Sequence, residues 1–220
     1  MLTLSKNYPI LVDDEAKSQT LKFWSSDSKE SYSKNFKSGW EYENSEDLVY
    51  EFNEWGYRTK NIDDLDKDFA LVFGCSYTEG VGLYQKDIWC EKLCKELDID
   101  IFNLAKGGSS PCISYMNTTL YVKNLIRYKP KLVIYQWPQA FRRTFSHLQE
   151  KSEKVIMADE YDLKMVGYNI NTEASNMDMS WFKDRWLKED GEMYKESFFN
   201  FYSTDILWKA LDVPVYHWTW

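Results

Sequence analysis

The sequence predicts a three-layer α/β/α fold built around a parallel sheet, and three observations support this. Short apolar runs bounded by glycine or polar residues recur from residue 69 onward and are typical of strands buried on both faces. Segments with helical spacing of apolar residues lie between these runs, which is the pattern of βαβ units with right-handed crossovers. The 220 residues are enough for one domain with a sizeable core.

Four apolar runs are predicted to be the parallel strands, at residues 69–74, 99–104, 131–137 and 213–219. Helices are predicted between them, over residues 85–97, 111–128 and 192–211. Pro111 suits the first turn of its helix, where a missing N–H loses no hydrogen bond. The last helix is expected to turn one apolar face to the core, formed by Phe198, Phe199, Tyr202, Ile206 and Leu207.

The remaining segments are predicted to be peripheral. Residues 1–66 are expected to form an N-terminal arm packed on the α/β domain of residues 67–220, with loose order over residues 1–39. Aromatic side chains crowd residues 40–58, and residues 48–53 alternate like a strand or hairpin arm. This segment either walls a substrate groove, with Arg58 near its floor, or only covers a sheet edge. Residues 141–191 are expected to be a long insertion with some helix near 181–188.

Composition excludes several classes of protein. The net charge of -8 argues against a nucleic-acid partner, which needs a basic face. No apolar stretch is long enough for a membrane span or a signal peptide, so we expect a cytoplasmic location. Cys90 and Cys94 stand four apart on a predicted helix, but buried thiols are the usual state of such cysteines. We therefore expect no metal and no cofactor.

A candidate nucleophile follows the first predicted strand, in Gly74-Cys75-Ser76. Ligands of open α/β sheets bind beyond the carboxyl ends of the strands, where this serine falls. The plainer interpretation is a serine that caps a helix or turn. The motif is neither a Gly-X-Gly-X-X-Gly nor a Gly-Lys-Ser/Thr phosphate loop, which disfavours a nucleotide binder. It is not a Gly-X-Ser-X-Gly elbow either, because Thr78 replaces the second glycine.

A second loop of interest follows the next predicted strand, over residues 103–110. Its paired glycines, Gly107 and Gly108, leave backbone N–H groups exposed, and such groups can stabilise an oxyanion. The alternative is a flexible loop that leads into a helix capped by Ser110.

These two loops resemble the first and second sequence blocks of the SGNH/GDSL hydrolases. Over residues 69–220, the resemblance implies the SGNH hydrolase fold, with a flavodoxin-like parallel sheet. It also implies ester hydrolysis through an acylated Ser76, with the amides of Ser76 and Gly108 as oxyanion donors. Cys75 departs from the family, which usually has aspartate at this position.

The later blocks match less well. Gln139 stands where the family has an asparagine that completes the oxyanion hole, without the usual glycine and aspartate. Arg142 follows, either contacting an anionic substrate group or solvated on the surface. No Asp-X-X-His occurs anywhere in the chain. Three explanations stay open: a chain truncated at its C-terminus, His217 as a substitute base, or a protein that kept the fold and lost the chemistry.

The leading functional prediction is therefore an SGNH-like serine hydrolase that acts on a small-molecule or carbohydrate ester, such as an O-acyl group on a sugar. The alternative is a catalytically degenerate module that binds a carbohydrate or a small anionic ligand. The sequence does not predict the oligomeric state.

Overall fold

A computed structural model describes residues 2–25, 27–30, 48–66, 68–140, 142–148, 163–169 and 190–219. The described strands are β1 (Leu2–Leu4), β2 (Val12–Asp13), β3 (Thr20–Leu21), β4 (Tyr50–Glu51), β5 (Phe69–Phe73), β6 (Asp100–Asn103), β7 (Leu132–Trp137), β8 (Arg142–Leu148), β9 (Leu163–Asn169) and β10 (Val215–Thr219). The described α-helices are α1 (Ser76–Glu79), α2 (Trp89–Glu96), α3 (Pro111–Leu125) and α4 (Asp190–Ala210), with 3₁₀ turns at Ile62–Asp64 and Gln85–Asp87.

A parallel sheet in the order β10-β7-β5-β6 forms the centre of the molecule. The four predicted strands and the alternation of strands with helices are thus confirmed; the strand bounds differ by up to two residues and the helix bounds by up to four. The register sets Phe73 opposite Tyr135 and Tyr135 opposite His217. The carboxyl ends of β5, β6 and β7 therefore meet at one edge of the sheet.

Helices cover both faces of this sheet. On one face, a buried cluster joins residues of the strands to α3 and α4, through Leu71, Phe73, Phe102, Val133, Tyr135, Tyr121, Leu125 and Trp208. On the other face, the smaller side chains of Ala70, Val72 and Ile134 pack with Cys90 and Cys94 of α2. The protein is therefore a mixed α/β fold with a four-stranded parallel sheet between helices.

The first residues of the chain are more ordered than the sequence suggested. Ile10, Leu11 and Val12 are 0% exposed and share the main core cluster with Trp55 and Tyr57. The reason is the short apolar run itself, which the polar flanks of residues 1–39 obscured. Asn117 of α3 accepts a hydrogen bond from the Leu11 amide at 3.0 Å and so anchors this run. Residues 31–47 lie outside the described residues.

The predicted insertion is described only in part. Strands β8 and β9 pair antiparallel within it, and β9 also pairs with β1 in a second sheet of order β2-β1-β9-β8. Residues 149–162 and 170–189 lie outside the described residues, and with them the predicted helix near 181–188.

Helix α4 turns a different face to the core than the apolar residues suggested. Phe198, Phe199, Tyr202 and Ile206 are 49–66% exposed, so the predicted core face is wrong. Asn200, Thr204 and Trp208, spaced four apart, are the buried residues instead, at 5%, 0% and 0% exposure. Hydrogen bonds make this possible, because Trp208 Nε1 donates to Tyr135 Oη at 2.7 Å and Thr204 Oγ1 to the Phe201 carbonyl at 2.8 Å.

None of the helices in the described ranges is long and apolar enough to cross a membrane. The four cysteines are free thiols. Burial raises the pKa of Cys94 to about 12, with Glu91 as a further cause, and it raises the pKa of Cys90 well above its usual value. Both thiols therefore stay protonated near neutral pH.

Candidate functional site at the carboxyl edge of the sheet

Ser76 lies on a tight turn between β5 and α1. Gly74 and Cys75 make this turn, Cys75 is the N-cap in extended conformation, and Ser76 is the first residue of the helix. A Cβ added to Gly74 would lie 2.3 Å from Thr78 Oγ1, so only glycine lets α1 fold back this closely. Ser76 is half-buried, and no described side chain hydrogen-bonds to its hydroxyl. The turn therefore places this hydroxyl at the carboxyl edge of the sheet.

The loop after β6 lies directly against this turn. Asn103 joins the two loops, because its Nδ2 donates to the Thr78 carbonyl at 2.8 Å and its Oδ1 accepts from the Ala105 amide at 3.0 Å. A Cβ added to Gly107 would lie 3.8 Å from Ser76 Cβ. Gly108, the next residue, is exposed and has a φ of 75°, which favours glycine. Ser76 and the Gly107–Gly108 turn are therefore brought together.

The two glycines of this turn differ in their hydrogen bonds. The Gly107 amide donates to Glu79 Oε2 at 2.6 Å, so it is occupied. The Gly108 amide meets no acceptor within the described ranges. Of the two, only Gly108 presents an N–H to a ligand.

A buried group of charged side chains supports this turn, and the sequence analysis missed it. Glu79, Lys106 and Asp13 are 0%, 6% and 1% exposed. Lys106 Nζ lies 2.8 Å from Asp13 Oδ2 and 3.3 Å from Glu79 Oε1. Trp24 Nε1 also donates to Glu79 Oε1, at 3.0 Å. We call Asp13, Glu79, Lys106 and Trp24 the buried charge cluster.

One local sequence pattern includes Glu79, but it predicts a different role for this residue. The spacing Ser76-X-X-Glu79 is that of a capping box, in which the glutamate bonds back to the start of its own helix. In the structure Cys75 is the N-cap and no side chain caps it. Glu79 instead bonds across to the Gly107 loop, because three donors from other segments surround it there.

Strand β7 contacts the Ser76 turn through Gln136, near the carboxyl end of the strand. This side chain is 0% exposed, and its Oε1 accepts from Thr78 Oγ1 at 2.9 Å and from Cys75 Sγ at 3.4 Å. Gln139 lies at the same edge, half-exposed, and its carbonyl accepts from the Arg142 amide at 3.0 Å. No hydrogen bond joins Gln139 to Ser76 or to Gly108 within the described part of the chain. Of the two glutamines, Gln136 is the one that bonds to the neighbours of Ser76.

Arg142 and Arg58 are placed very differently. Arg142 begins β8 and is half-buried, and its Nε meets no hydrogen-bond partner in the part of the chain described. Arg58 is 1% exposed and lies over the Tyr50 ring at 4.2 Å. Its guanidinium donates to the carbonyls of Gly80 (2.6 Å), Leu83 (2.8 Å), Val49 (3.2 Å) and Glu79 (3.4 Å). Arg58 does not fit the predicted substrate contact, because its guanidinium is buried and bonded to carbonyls of the 80–83 loop.

The hydrogen bonds of His217 do not leave it able to act as a base for Ser76. Its Nδ1 accepts a hydrogen bond from Trp137 Nε1 at 3.0 Å. The neutral ring therefore carries its proton on Nε2, which faces Asp205 Oδ1 at 3.5 Å. The ring also stacks on Tyr135 and packs against Phe201 of α4. Neither nitrogen has a lone pair free to accept the serine proton, so His217 does not fit the predicted substitute base.

The environment of His217 leads us to expect that the stability of the protein depends on pH. Burial lowers the pKa of His217 below 6.5, with the Asp205 carboxylate opposing the shift. The unfolded chain thus takes up a proton on His217 at a higher pH than the folded chain does. We expect the free energy of unfolding to fall as the pH drops below about 6.5. The measurement is urea unfolding across this range for the wild-type chain and for His217→Gln; equal pH dependence in both would contradict the assignment.

A cavity of about 820 Å³ among the described residues lies elsewhere. It opens between α2, β6 and the arm, with lining residues that include Thr59, Tyr84, Glu91 and Ile101. Burial raises the pKa of Glu91, while a hydrogen bond from Gln85 lowers it. Ser76, Gly108, Gln139 and His217 do not line this cavity, so it is separate from the candidate site.

Comparison with known proteins adds no relative: no family model matches the chain, and no curated protein matches it. The described residues contain no group of three histidine, cysteine or carboxylate side chains placed to hold a metal ion. The features that bear on function are those at the carboxyl edge of the sheet.

Proposed function

We propose that this chain is a serine hydrolase of the SGNH type that cleaves an ester through an acylated Ser76. One observation carries the proposal: the half-buried Ser76 on the turn after β5 lies against the Gly107–Gly108 turn after the neighbouring strand β6. These are the two loops that resemble the first two SGNH blocks, and they are far apart in sequence. Their proximity supplies a hydroxyl and an unoccupied backbone donor side by side, as acyl transfer requires.

In the proposed reaction, Ser76 Oγ forms a bond to the carbonyl carbon of the ester. The tetrahedral oxyanion accepts hydrogen bonds from the amides of Ser76 and Gly108. The ester C–O bond then breaks, and the alcohol leaves with the proton that the serine gave up. Water releases the acid from the acyl-serine and returns a proton to Oγ. Substrates of the O-acyl sugar or small-ester class follow from the SGNH resemblance, with Arg142 available to an anionic group.

The proposed reaction is slow, because no described residue acts as a base on Ser76. His217 is occupied by Trp137 and Asp205. Without a base, backbone donors and substrate binding retain only about 10³–10⁴-fold catalysis over water in a serine hydrolase. This observation also favours a second candidate function, a module that binds a carbohydrate or small anionic ligand without turning it over.

A fluorophosphonate probe tests the proposal. We expect slow labelling of the wild-type chain with one probe per molecule, measured by intact mass, and no labelling of Ser76→Ala. Ser25→Ala is the matched control, because Ser25 Oγ would lie 3.3 Å from a Cβ on Gly107 and its loss should leave labelling unchanged. His217→Ala should label at the wild-type rate.

Two outcomes overturn the proposal: labelling that persists in Ser76→Ala, or none in the wild-type chain under prolonged exposure. The second function is tested in parallel with an acetylated monosaccharide. If the chain binds this sugar in calorimetry and returns it unchanged, while the probe never labels Ser76, the binding module is the correct assignment.

A further inference from the structure

The strongest feature outside the predicted residues is the carboxylate of Glu79. It is 0% exposed, yet it lies one helical turn from Ser76 and bonds the loop that carries Gly108. Three groups surround it: the Gly107 amide at 2.6 Å, Trp24 Nε1 at 3.0 Å and Lys106 Nζ at 3.3 Å. Each of them donates a hydrogen or carries positive charge. The two oxygens of a carboxylate can accept hydrogen bonds from all three donors, and these bonds hold the Glu79 side chain in place.

An amide cannot replace this carboxylate. A glutamine has one accepting oxygen, and its NH₂ group would face another donor, either Trp24 Nε1 or the Gly107 amide. One buried donor would then lose its acceptor, at a cost comparable to a lost hydrogen bond. The charge of Glu79 also balances Lys106, which is 6% exposed and receives its other carboxylate contact from Asp13. The site therefore favours a glutamate over a glutamine.

The bond from Gly107 to Glu79 orients the peptide plane in front of Ser76. The Gly107 N–H is bonded to Glu79, and the Ser109 amide donates to the Lys106 carbonyl at 3.1 Å, so the N–H between these two bonds is held from both sides of the turn. That N–H belongs to Gly108, the proposed oxyanion donor. Rotation of this turn would move the donor away from the reacting carbonyl, and a misplacement of about 1 Å can cost on the order of 100-fold in rate.

We infer that Glu79 is a positioning residue for the oxyanion hole, which holds the Gly107–Gly108 turn in its donating conformation and is itself held by Lys106 and Trp24. This inference rests on the proposed function, because it assigns Glu79 a role in acylation of Ser76. It also assigns the N-terminal arm a part in the site, since Asp13 and Trp24 come from that arm.

The test variant is Glu79→Gln in the full chain. We expect the maximal rate of labelling by the fluorophosphonate to fall about 10- to 100-fold. The probe concentration for half-maximal rate should not change, because Glu79 acts, through the Gly108 amide, on the reacting phosphoryl group and not on the rest of the probe. In NMR, the Gly107 amide proton should shift upfield, and the Gly108 amide signal should change position as the turn rotates.

Asn117→Ala is the matched control for lost stability. Asn117 is also 0% exposed and bonds two buried groups, the Leu11 amide and Tyr57 Oη, but it lies on α3. Well below its melting temperature, this variant should label at the wild-type rate although it melts earlier. A similar loss of rate in Asn117→Ala would show that Glu79 affects labelling only through the stability of the fold.

Failure of the inference is distinguishable from failure of the proposed function. If the wild-type chain is never labelled, the proposed function fails, and the amide signals of Gly107 and Gly108 still report whether Glu79 orients the turn. If labelling occurs and neither the rate nor these signals change in Glu79→Gln, the inference is wrong. Should Glu79→Gln not fold, Glu79→Asp keeps the charge but is one methylene too short to reach Gly107, and it should show the same loss of rate.

Discussion

Replacing Lys106 by methionine is expected to lower the free energy of unfolding by about 3–5 kcal/mol. Methionine retains most of the apolar stem, but it removes the ammonium, which lies 4.5 Å from the centre of the Trp24 ring and 4.9 Å from that of Phe52. Asp13 and Glu79 would then be two buried carboxylates without their shared cation, at 1% and 0% exposure. Such a loss is large because neither charge can reach water. Urea unfolding followed by circular dichroism measures it.

Lys92→Met is the matched control for this prediction. Lys92 also pairs with a carboxylate, Asp87, at 3.0 Å, but its side chain is 60% exposed. Surface pairs of this kind contribute about 0–1 kcal/mol, so the control should be nearly neutral. Equal effects of the two substitutions would show that the buried charge cluster is no more important than a surface pair.

Replacing Arg58 by methionine is expected to lower the free energy of unfolding by at least about 3 kcal/mol, since hydrogen bonds to a charged group contribute roughly 1.5–3 kcal/mol each. The guanidinium is the common donor for the carbonyls of Gly80, Leu83 and Val49. The contact with the Tyr50 ring is lost as well. Thermal melting and urea unfolding measure the effect, and labelling of Ser76 by the probe should survive below the melting temperature.

Arg127→Met is the control, because Arg127 makes the same kind of ring contact, 4.7 Å from the centre of Tyr128, on an exposed surface. It should change the stability by less than about 1 kcal/mol. If Arg58→Met were instead as stable as the wild-type chain and lost affinity for an ester or anion, Arg58 would be a ligand contact and its structural assignment would be wrong.

Local sequence patterns were enough to predict the sheet and the position of Ser76. Buried parallel strands are short apolar runs, and glycine permits the abrupt turn that follows such a strand, so Gly74-Cys75-Ser76 indicates its own geometry. The same argument placed Gly107 and Gly108 after the neighbouring strand. These features depend on residues that are adjacent in the chain.

Pairing across the chain could not be predicted in this way. Which glutamine approaches the Ser76 turn depends on the register of β7, and the structure turns Gln136 inward where the sequence pattern suggested Gln139. The core face of α4 was missed for a related reason: Thr204 and Trp208 are buried through hydrogen bonds to specific partners, whereas periodicity weighs only apolar character.

The sequence by itself determined the α/β class, the order of strands and helices, and a serine at the end of a buried strand, because each follows from local periodicity and turn chemistry. Only the tertiary structure decided what the charged and titratable residues do. Arg58 is buried under a loop, His217 is bonded at Nδ1, and Glu79 with Lys106 supports the Gly107 turn. Their roles depend on burial and on which partner lies within bonding distance, and neither is encoded in residue spacing along the chain.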